Sequence, residues 1–315
     1  MQNSPKLEQR IKDFAQTLGV VHLGITTPEA PKHYHQYIQW TEKGYAGSMW
    51  YLTEKERKQK RGSLEKVFPG VKSVLIATFS YKPHNNTHTT DAKFARYGWG
   101  KDYHDFVKQK LQLLVAWLEK EISPTLRSRV YVDTGPILEK SLAERGGVGW
   151  IGKNTCLINQ QAGSYLYLGE ILLDAELTPD ESANNHCGTC TKCLEACPTQ
   201  AFIGPYQMDA TKCISYHTIE SKDLSMPESI SKNLNGYVAG CDICQEVCPW
   251  NSKAPASTLQ EIQPGEHVSL SLEKILKLPQ EEYDRLFFSS SFRRIPLEKL
   301  KANAQYVKWN ELIKK

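Results

Sequence analysis

No stretch of apolar residues approaches the roughly 20 that a helix needs to cross a bilayer, so no membrane-spanning helix is expected. The chain also opens without a secretory leader, and a cytoplasmic location with reduced thiols is the resulting expectation. Charge of neither sign dominates. Lys and Arg number 39 against 35 Asp and Glu, a net +4 that does not by itself call for a polyanionic partner, so any such case must rest on local clusters. There is no internal repeat beyond a pair of cysteine runs, and no Walker loop, because Gly152-Lys153 is followed by Asn154 where Ser or Thr is required. Cysteine is itself scarce outside one stretch: eight of the nine lie between Cys187 and Cys248. What remains is an ordinary globular composition, 40% apolar and 23% charged over 315 residues, enough for a main domain with a sizeable core and a smaller insert.

The cysteine stretch opens with Cys187-x2-Cys190-x2-Cys193-x3-Cys197-Pro198 and closes with Cys241-x2-Cys244-x3-Cys248-Pro249, with Cys213 alone between them. The first run has the spacing of bacterial ferredoxins, in which three thiolates wrap one 4Fe-4S cubane and the fourth, just before Pro, reaches the other cluster. On that logic the ligands cross over. Cys187, Cys190 and Cys193 share one cluster with Cys248, and Cys197 joins Cys213, Cys241 and Cys244 on the second. The second run departs from the ferredoxin pattern by placing two closely spaced cysteines before its Cys-Pro, and Cys213 supplies the missing ligand. A disulfide framework is disfavoured because the cysteines are confined to one segment of a long chain. Zinc competes, since Cys-x2-Cys pairs also make tetrahedral thiolate sites, but the Cys-Pro endings and the crossed pairing favour iron and sulfur. Cys156 lies in a Thr155-Cys156-Leu157-Ile158 run that reads as a strand, and a buried, inert side chain is expected there.

Ahead of the cysteines, Leu7, Ile11, Phe14, Ala15 and Leu18 recur at helical spacing before Gly19, and Val20 to Ile25 reads as a strand. The densest basic run follows, Lys55, Arg57, Lys58, Lys60 and Arg61, either a solvated helix face or a phosphate contact. Val71 to Tyr81 reads as a buried strand and His84 to Thr90 as a mobile surface loop. A helix running to about Lys120 begins after Asp102 and His104, a pair that opens a cobalt-ligating Asp-x-His-x-x-Gly motif but fails it, with Val107 where Gly belongs. Arg129 to Asp133 is a strand ending at Asp133-Thr134-Gly135-Pro136, which makes Asp133 either an active-site carboxylate at a sheet edge or a helix cap. Glycines 146, 147, 149 and 152 leave room for backbone to approach a large planar ligand. Strands at Thr155 to Ile158 and Ser164 to Leu173 complete a body of the α/β or α+β class. The tail after Lys253 is mainly helical, with a basic end formed by Arg293, Arg294, Lys299, Lys301, Lys308, Lys314 and Lys315. Two basic clusters flanking one body favour a nucleic-acid partner where either alone would not.

Over most of its length the chain resembles the epoxyqueuosine reductase family, iron-sulfur and cobalamin enzymes that complete queuosine in tRNA. The resemblance rests on Gly47-Ser48-Met49-x-Tyr51-Leu52, on Arg61 with Pro69-Gly70-Val71-Lys72-Ser73-Val74, and on Arg96-Tyr97-x-Trp99-Gly100-x-Asp102-Tyr103-His104. It continues through Val132-Asp133-Thr134-Gly135-Pro136, Gly149-Trp150-Ile151-Gly152-Lys153-Asn154, Gly163-Ser164, Leu168-Gly169-Glu170 and both cysteine runs. It implies a nitroreductase-like, cobalamin-binding α/β domain over 1–178, a ferredoxin-like insert with two 4Fe-4S clusters over 179–251, and a helical segment over 252–315 without the helical repeats of longer members. It implies that Asp133 is the proton donor, its pKa raised by burial. It further implies cobalamin contacts at Arg61, Asp133, Asn154, Ser164, Ser215, Asp242 and Ile243. Lys222, with Lys58, Lys60, Arg293 and Arg294 of the basic clusters, is the expected contact to tRNA phosphates.

The implied reaction is deoxygenation of an epoxide to an alkene, with electrons from a flavodoxin or ferredoxin system and a monomeric enzyme. A reductive dehalogenase shares the paired clusters and cobalamin but is usually exported behind a twin-arginine leader. A plain electron-transfer module explains the eight cysteines and leaves the glycine-rich body without a role.

Overall fold

The computed structural model describes residues 6–85 and 87–313, so Lys314 and Lys315 of the basic end lie outside the described residues. Helix α1 (Leu7–Thr17) buries Ile11 and Ala15, as the apolar spacing predicts. Strand β1 (His22–Thr26) follows, then α2 (Lys55–Arg61), β2 (Ser73–Ser80), α3 (Tyr103–Glu121), β3 (Ser128–Tyr131), α4 (Glu139–Arg145) and β4 (Leu166–Leu173). The four strands form one sheet in the order β1-β2-β4-β3, every neighbouring pair antiparallel. The body is therefore a mixed α/β fold built on an antiparallel sheet. All eight residues of β2 are buried, which explains why Val74 to Ala77 run on without apolar–polar alternation and why Ser73, Thr78 and Ser80 are small polar residues. One face is packed by α1 and α3 through Ile11, Leu75, Leu111, Leu114 and Ile171, and the other by α4 through Ile76, Leu142 and Leu172.

Several local expectations change. Strand pairing after the glycine segment is confined to Leu157–Ile158, because Thr155 takes a left-handed φ of 64° that ends any extended run before it. Two of the four glycines make room for the protein's own backbone: a Cβ on Gly149 would meet the Ile158 carbonyl oxygen at 2.3 Å, and one on Gly147 the Glu181 carbonyl oxygen at 2.5 Å. His88 is tucked edge-on against Trp99 and Tyr237, so this end of the expected surface loop is packed. Lys299 is likewise not part of a basic surface. It is buried, and its Nζ donates to the Asp223 carbonyl.

The C-terminal segment does not form a core of its own. Ile275, Phe287, Phe292 and Leu300 pack with Phe94 from the body and with Leu234, Tyr237 and Val238 from the cysteine-bearing stretch, in one continuous apolar cluster. A polar seam completes the junction. Arg96, buried at 3% exposure, donates from its backbone N–H and from Nη1 to Asp242 Oδ2 at 2.8 and 2.9 Å, and from Nη1 to Glu246 at 2.6 Å. Ser164 Oγ donates to Gln245 at 2.9 Å and accepts from Asn251 Nδ2 at 2.9 Å. Lys153 Nζ caps the carbonyls of Gly188 and Cys190 at 2.7 and 2.9 Å. Because Asp242 is 1% exposed, its loss would leave a guanidinium in the seam without its main counter-charge. Asp242→Ala should cost about 3–5 kcal/mol of stability. Urea unfolding of the anaerobically reconstituted protein checks this, and an unchanged midpoint would mean the pair does not hold the seam.

Candidate functional site

Strand β3 stops at Tyr131 and the chain turns sharply at Asp133, whose φ of 59° lies in the left-handed region. Asp is one of the few side chains that tolerate this conformation, and here the turn is tied at each peptide group. The Asp133 N–H donates to Glu139 Oε1 at 2.8 Å, the Thr134 N–H donates to the Val132 carbonyl at 2.6 Å, and Arg57 Nη2 donates to the Thr134 carbonyl at 3.0 Å. Asp133 is therefore not a helix cap. The residue in that position before α4 is Leu138.

Opposite the turn stands the start of α3. Asp102 caps this helix by accepting from the His104 N–H at 3.0 Å, and the same oxygen meets His104 Nδ1 at 2.7 Å. His104 Nε2 reaches Asp133 Oδ2 at 3.3 Å, so one imidazole bridges two carboxylates. Burial works against a charged imidazole, but the hydrogen bonds and charges of Asp102 and Asp133 prevail and push His104 up to about 9. Burial likewise favours a protonated Asp133, but the His104 hydrogen bond and charge, helped by Arg294 and Tyr103, hold its carboxyl below the ordinary Asp value. This reverses the expectation that burial raises it: at neutral pH the proton resides on His104. The side chain of Asp133 is in fact half exposed, 53%, which leaves it open to a substrate.

The two groups border an open cavity of about 280 Å³ lined by Tyr97, Tyr103, Ser215, Ile219, Glu220 and Arg294. Arg294 Nη2 donates to Glu220 at 2.7 Å and Tyr51 Oη donates to the same carboxylate at 3.0 Å. Arg294, expected among the phosphate contacts, is thus a wall of this cavity and already paired. Of the residues expected to touch cobalamin, Asp133 and Ser215 line it. Arg61 is buried, donating to the Tyr51 carbonyl and lying over the Tyr37 ring. Asn154 donates to the Cys244 carbonyl at 3.3 Å, and Ser164 and Asp242 belong to the seam. Ile243 lines a second open cavity, about 490 Å³, with Tyr237 and Val307. Lys58 and Lys60 lie on α2, Lys222 and Arg293 are exposed, and Arg293 lies over the Phe288 ring.

The thiols fall into two neighbourhoods. Burial raises the Cys193 thiol, and its charged neighbours in turn are Cys248, Cys187 and Cys190. Burial also raises Cys241, whose thiol neighbours are Cys213 and Cys197, and Cys244 feels Cys241 and Cys213. Donors suited to sulfide-rich centres are in place, Trp150 Nε1 to Cys187 Sγ at 3.4 Å and the Ala201 N–H to Cys197 Sγ at 3.3 Å. Among the described residues no group of three or more His, Cys, Asp or Glu is set to hold a metal ion; a cubane, with four irons between its thiolates, spreads its ligands more widely than a zinc ion does. Cys156 is neither in a strand nor fully buried, and its thiol lies near that of Cys244, a proposed cluster ligand. Sequence reasoning missed His104, which the failed cobalt motif drew attention to without a role, and Glu139 and Glu220, which carry no local signal; Arg57 stood out only as part of the basic run, and its bond to the Asp133 turn was not legible there.

Two family profiles match the chain: one described as a 4Fe-4S double cluster binding domain over residues 186–251, the other as epoxyqueuosine reductase QueG over residues 61–134. An epoxyqueuosine reductase from Synechocystis sp. is 43% identical over 270 residues, which is 84% of this chain and 92% of the relative. A crystal structure of an epoxyqueuosine reductase with an epoxyqueuosine-modified tRNA-Tyr stem loop superposes with a TM-score of 0.87 at 30% identity, covering 96% of this chain and 80% of that one. A Bacillus subtilis epoxyqueuosine reductase whose catalytic Asp loop is swung out of its active site superposes with a TM-score of 0.87 at 29% identity, with the same coverage.

The charge arrangement sets a pH dependence of stability. His104 sits near 9 in the folded chain against its ordinary 6.5, so the folded state keeps a proton that the unfolded state releases between those values. The stability it contributes is complete below 6.5 and is lost as pH rises through about 9. His104→Gln should flatten that limb of a plot of unfolding midpoint against pH, and an equally steep limb in the variant would exclude the bridge.

Proposed function

The chain belongs to the epoxyqueuosine reductase family, and we propose that it deoxygenates epoxyqueuosine at the wobble position of tRNA to queuosine, using two 4Fe-4S clusters and cobalamin. In this reading residues 1–178 form the nitroreductase-like, cobalamin-binding body and 179–251 the ferredoxin-like double-cluster unit. Residues 252–315 close the core shared by both. The observation that carries the reading is the Asp102-His104-Asp133 chain, which brings a proton to the edge of a cavity whose far wall includes Ser215, two residues after the proposed ligand Cys213. A redox centre held there would stand between an electron source and a proton source.

The balance of the reaction is simple. One electron pair and two protons convert an epoxide into an alkene and water. Cys187, Cys190, Cys193 and Cys248 would hold one cluster, and Cys197, Cys213, Cys241 and Cys244 the other, nearer the cavity. Cobalamin, when bound, supplies a low-valent cobalt nucleophile able to gather the clusters' single electrons into a pair. Ser215 and Asp133 face the space it would occupy, with Tyr97 and Tyr103 as apolar and aromatic walls. Arg61, Asn154, Ser164 and Asp242, bonded within the protein, would support those walls, and Ile243 would contribute from the seam side. Asp133 accepts a proton from His104 Nε2 and delivers it to the departing oxygen, and the second proton follows the same route once His104 has taken it up from solvent. Asp102 holds the imidazole by Nδ1 so that Nε2 points at Asp133. The swung-out Asp loop of the Bacillus subtilis relative fits a turn that moves as a unit, held inward here by Arg57 and Glu139.

Lys58 and Lys60 on α2, with Lys222 and Arg293, are the proposed contacts to the tRNA backbone. Arg57, on the same helix as Lys58 and Lys60, couples that helix to the Asp133 turn. The electron donor is a small flavodoxin or ferredoxin.

Asp133→Asn should retain both clusters and corrinoid by their absorption spectra while turnover, read as queuosine in digested tRNA by mass spectrometry, falls at least about 100-fold. Normal turnover would remove Asp133 from this role. Replacing Lys58 and Lys60 together by Ala should weaken stem-loop binding and reduce the slope of log affinity against log salt by about 2. An unchanged slope would place the phosphates elsewhere.

A further inference from the structure

Beneath the Asp133 turn lie two carboxyls that the reaction as described does not use. Glu170 stands on β4 between Ile76 and Tyr131 of the flanking strands and is 0% exposed. Neither of its oxygens has a hydrogen-bond partner as a carboxylate. Glu170 lies two residues from Leu172, on the sheet face that packs against Leu142 and Ala143 of α4, and the acid it interacts with there is Glu139, the first residue of that helix. Glu139 in turn accepts the Asp133 N–H at 2.8 Å.

The charges around Glu139 do not neutralise the pair. Asp133 adds a third carboxylate, and Tyr103 faces it as a neutral phenol. The nearby cations are engaged elsewhere: Lys140 Nζ donates to the Thr155 carbonyl at 2.7 Å, Arg61 is bonded to Tyr51 and stacked on Tyr37, Arg57 donates to the Thr134 carbonyl at 3.0 Å, and His104 is held by Asp102 and Asp133. Burial, then the neighbouring carboxylates, drives both acids upward from the ordinary Glu value. Two buried carboxylates in contact cannot both ionise without a large penalty.

We propose that Glu139 and Glu170 share one proton as a buried acid pair, and that this pair, through the bond from Glu139 to the Asp133 amide, pins the Asp133 turn inward. The inference rests on the reading of Asp133 as the proton-delivering group. With one proton, Glu170 donates its O–H to Glu139, and Glu139 keeps the negative charge that makes its bond to the amide charge-assisted. A second proton removes that charge. Loss of the only proton sets two anions against each other and drives Glu139 from beneath the turn. Glu139 and Glu170 are positioning residues, since neither faces the cavity that would hold substrate.

Infrared difference spectroscopy across pH, on reconstituted enzyme, reads the C=O stretch of a protonated carboxyl directly. The wild type should show at neutral pH a protonated-carboxyl signal that is lost in Glu170→Gln, shifts in frequency in Glu139→Gln, where the Glu170 O–H meets an amide in place of a carboxylate, and is retained in Asp133→Asn. Absence of that signal from the wild type, its survival in Glu170→Gln, or an unshifted band in Glu139→Gln overturns the shared proton. Pinning is read from kinetics. Glu139→Ala removes the acceptor for the Asp133 amide and should lower kcat about 10- to 100-fold with KM for the stem loop unchanged, while Glu139→Gln restores most of it. Equal kcat in Glu139→Ala and wild type, or an equal loss in the Gln variant, overturns pinning. Unimpaired turnover by Asp133→Asn would instead withdraw the role of Asp133, and the infrared comparison would still decide the acid pair.

Discussion

Arg96 is a guanidinium buried between the sheet body and the cysteine-bearing stretch, and the structure depends on how that charge is met. Asp242 and Glu246 meet it from α-helical turns beside Cys241 and Cys244. Because a buried charge tolerates only a narrow geometry, the pair fixes where the proposed cluster ligands stand relative to the sheet. The Ser164-Gln245-Asn251 bonds and the Asn154 bond to Cys244 work in the same direction. In the proposed reaction electron transfer and proton delivery converge on one small volume, and this seam would set their separation.

Within the body, the chemistry follows from an excess of carboxylates around few cations. Asp102 and Asp133 share His104, and Glu220 is shared by Arg294 and Tyr51. Glu139 and Glu170 are left to each other. The outcome is a division of labour among acids of one type: Asp133 ionised beside a charged imidazole and open to the cavity, Glu170 buried and driven toward its neutral form. The left-handed turn at Asp133 is the mechanical counterpart. Its strain is offset by bonds from Glu139 and Arg57, elements that also face the buried pair and the basic helix.

The order of the chain determined a good deal on its own. The cysteine spacing pointed to a double 4Fe-4S domain, because two- and three-residue gaps limit which thiols can wrap one cubane, and the double-cluster profile over residues 186–251 agrees. Apolar runs and helical spacing located α1, β2, α3 and β4 to within a few residues, because burial on one or both faces imposes a period that survives in the sequence. What only the tertiary structure decided is pairing across distance. That the sheet is antiparallel, that Lys299 is buried against Asp223 and that Arg294 is paired with Glu220 beside the cavity depend on partners tens of residues away. The protonation of the site has the same origin: Asp133 reads as a buried acid in isolation, and only the approach of His104, 29 residues earlier in the chain, holds its carboxyl ionised, because a pKa answers to the charges nearest in space and not in sequence.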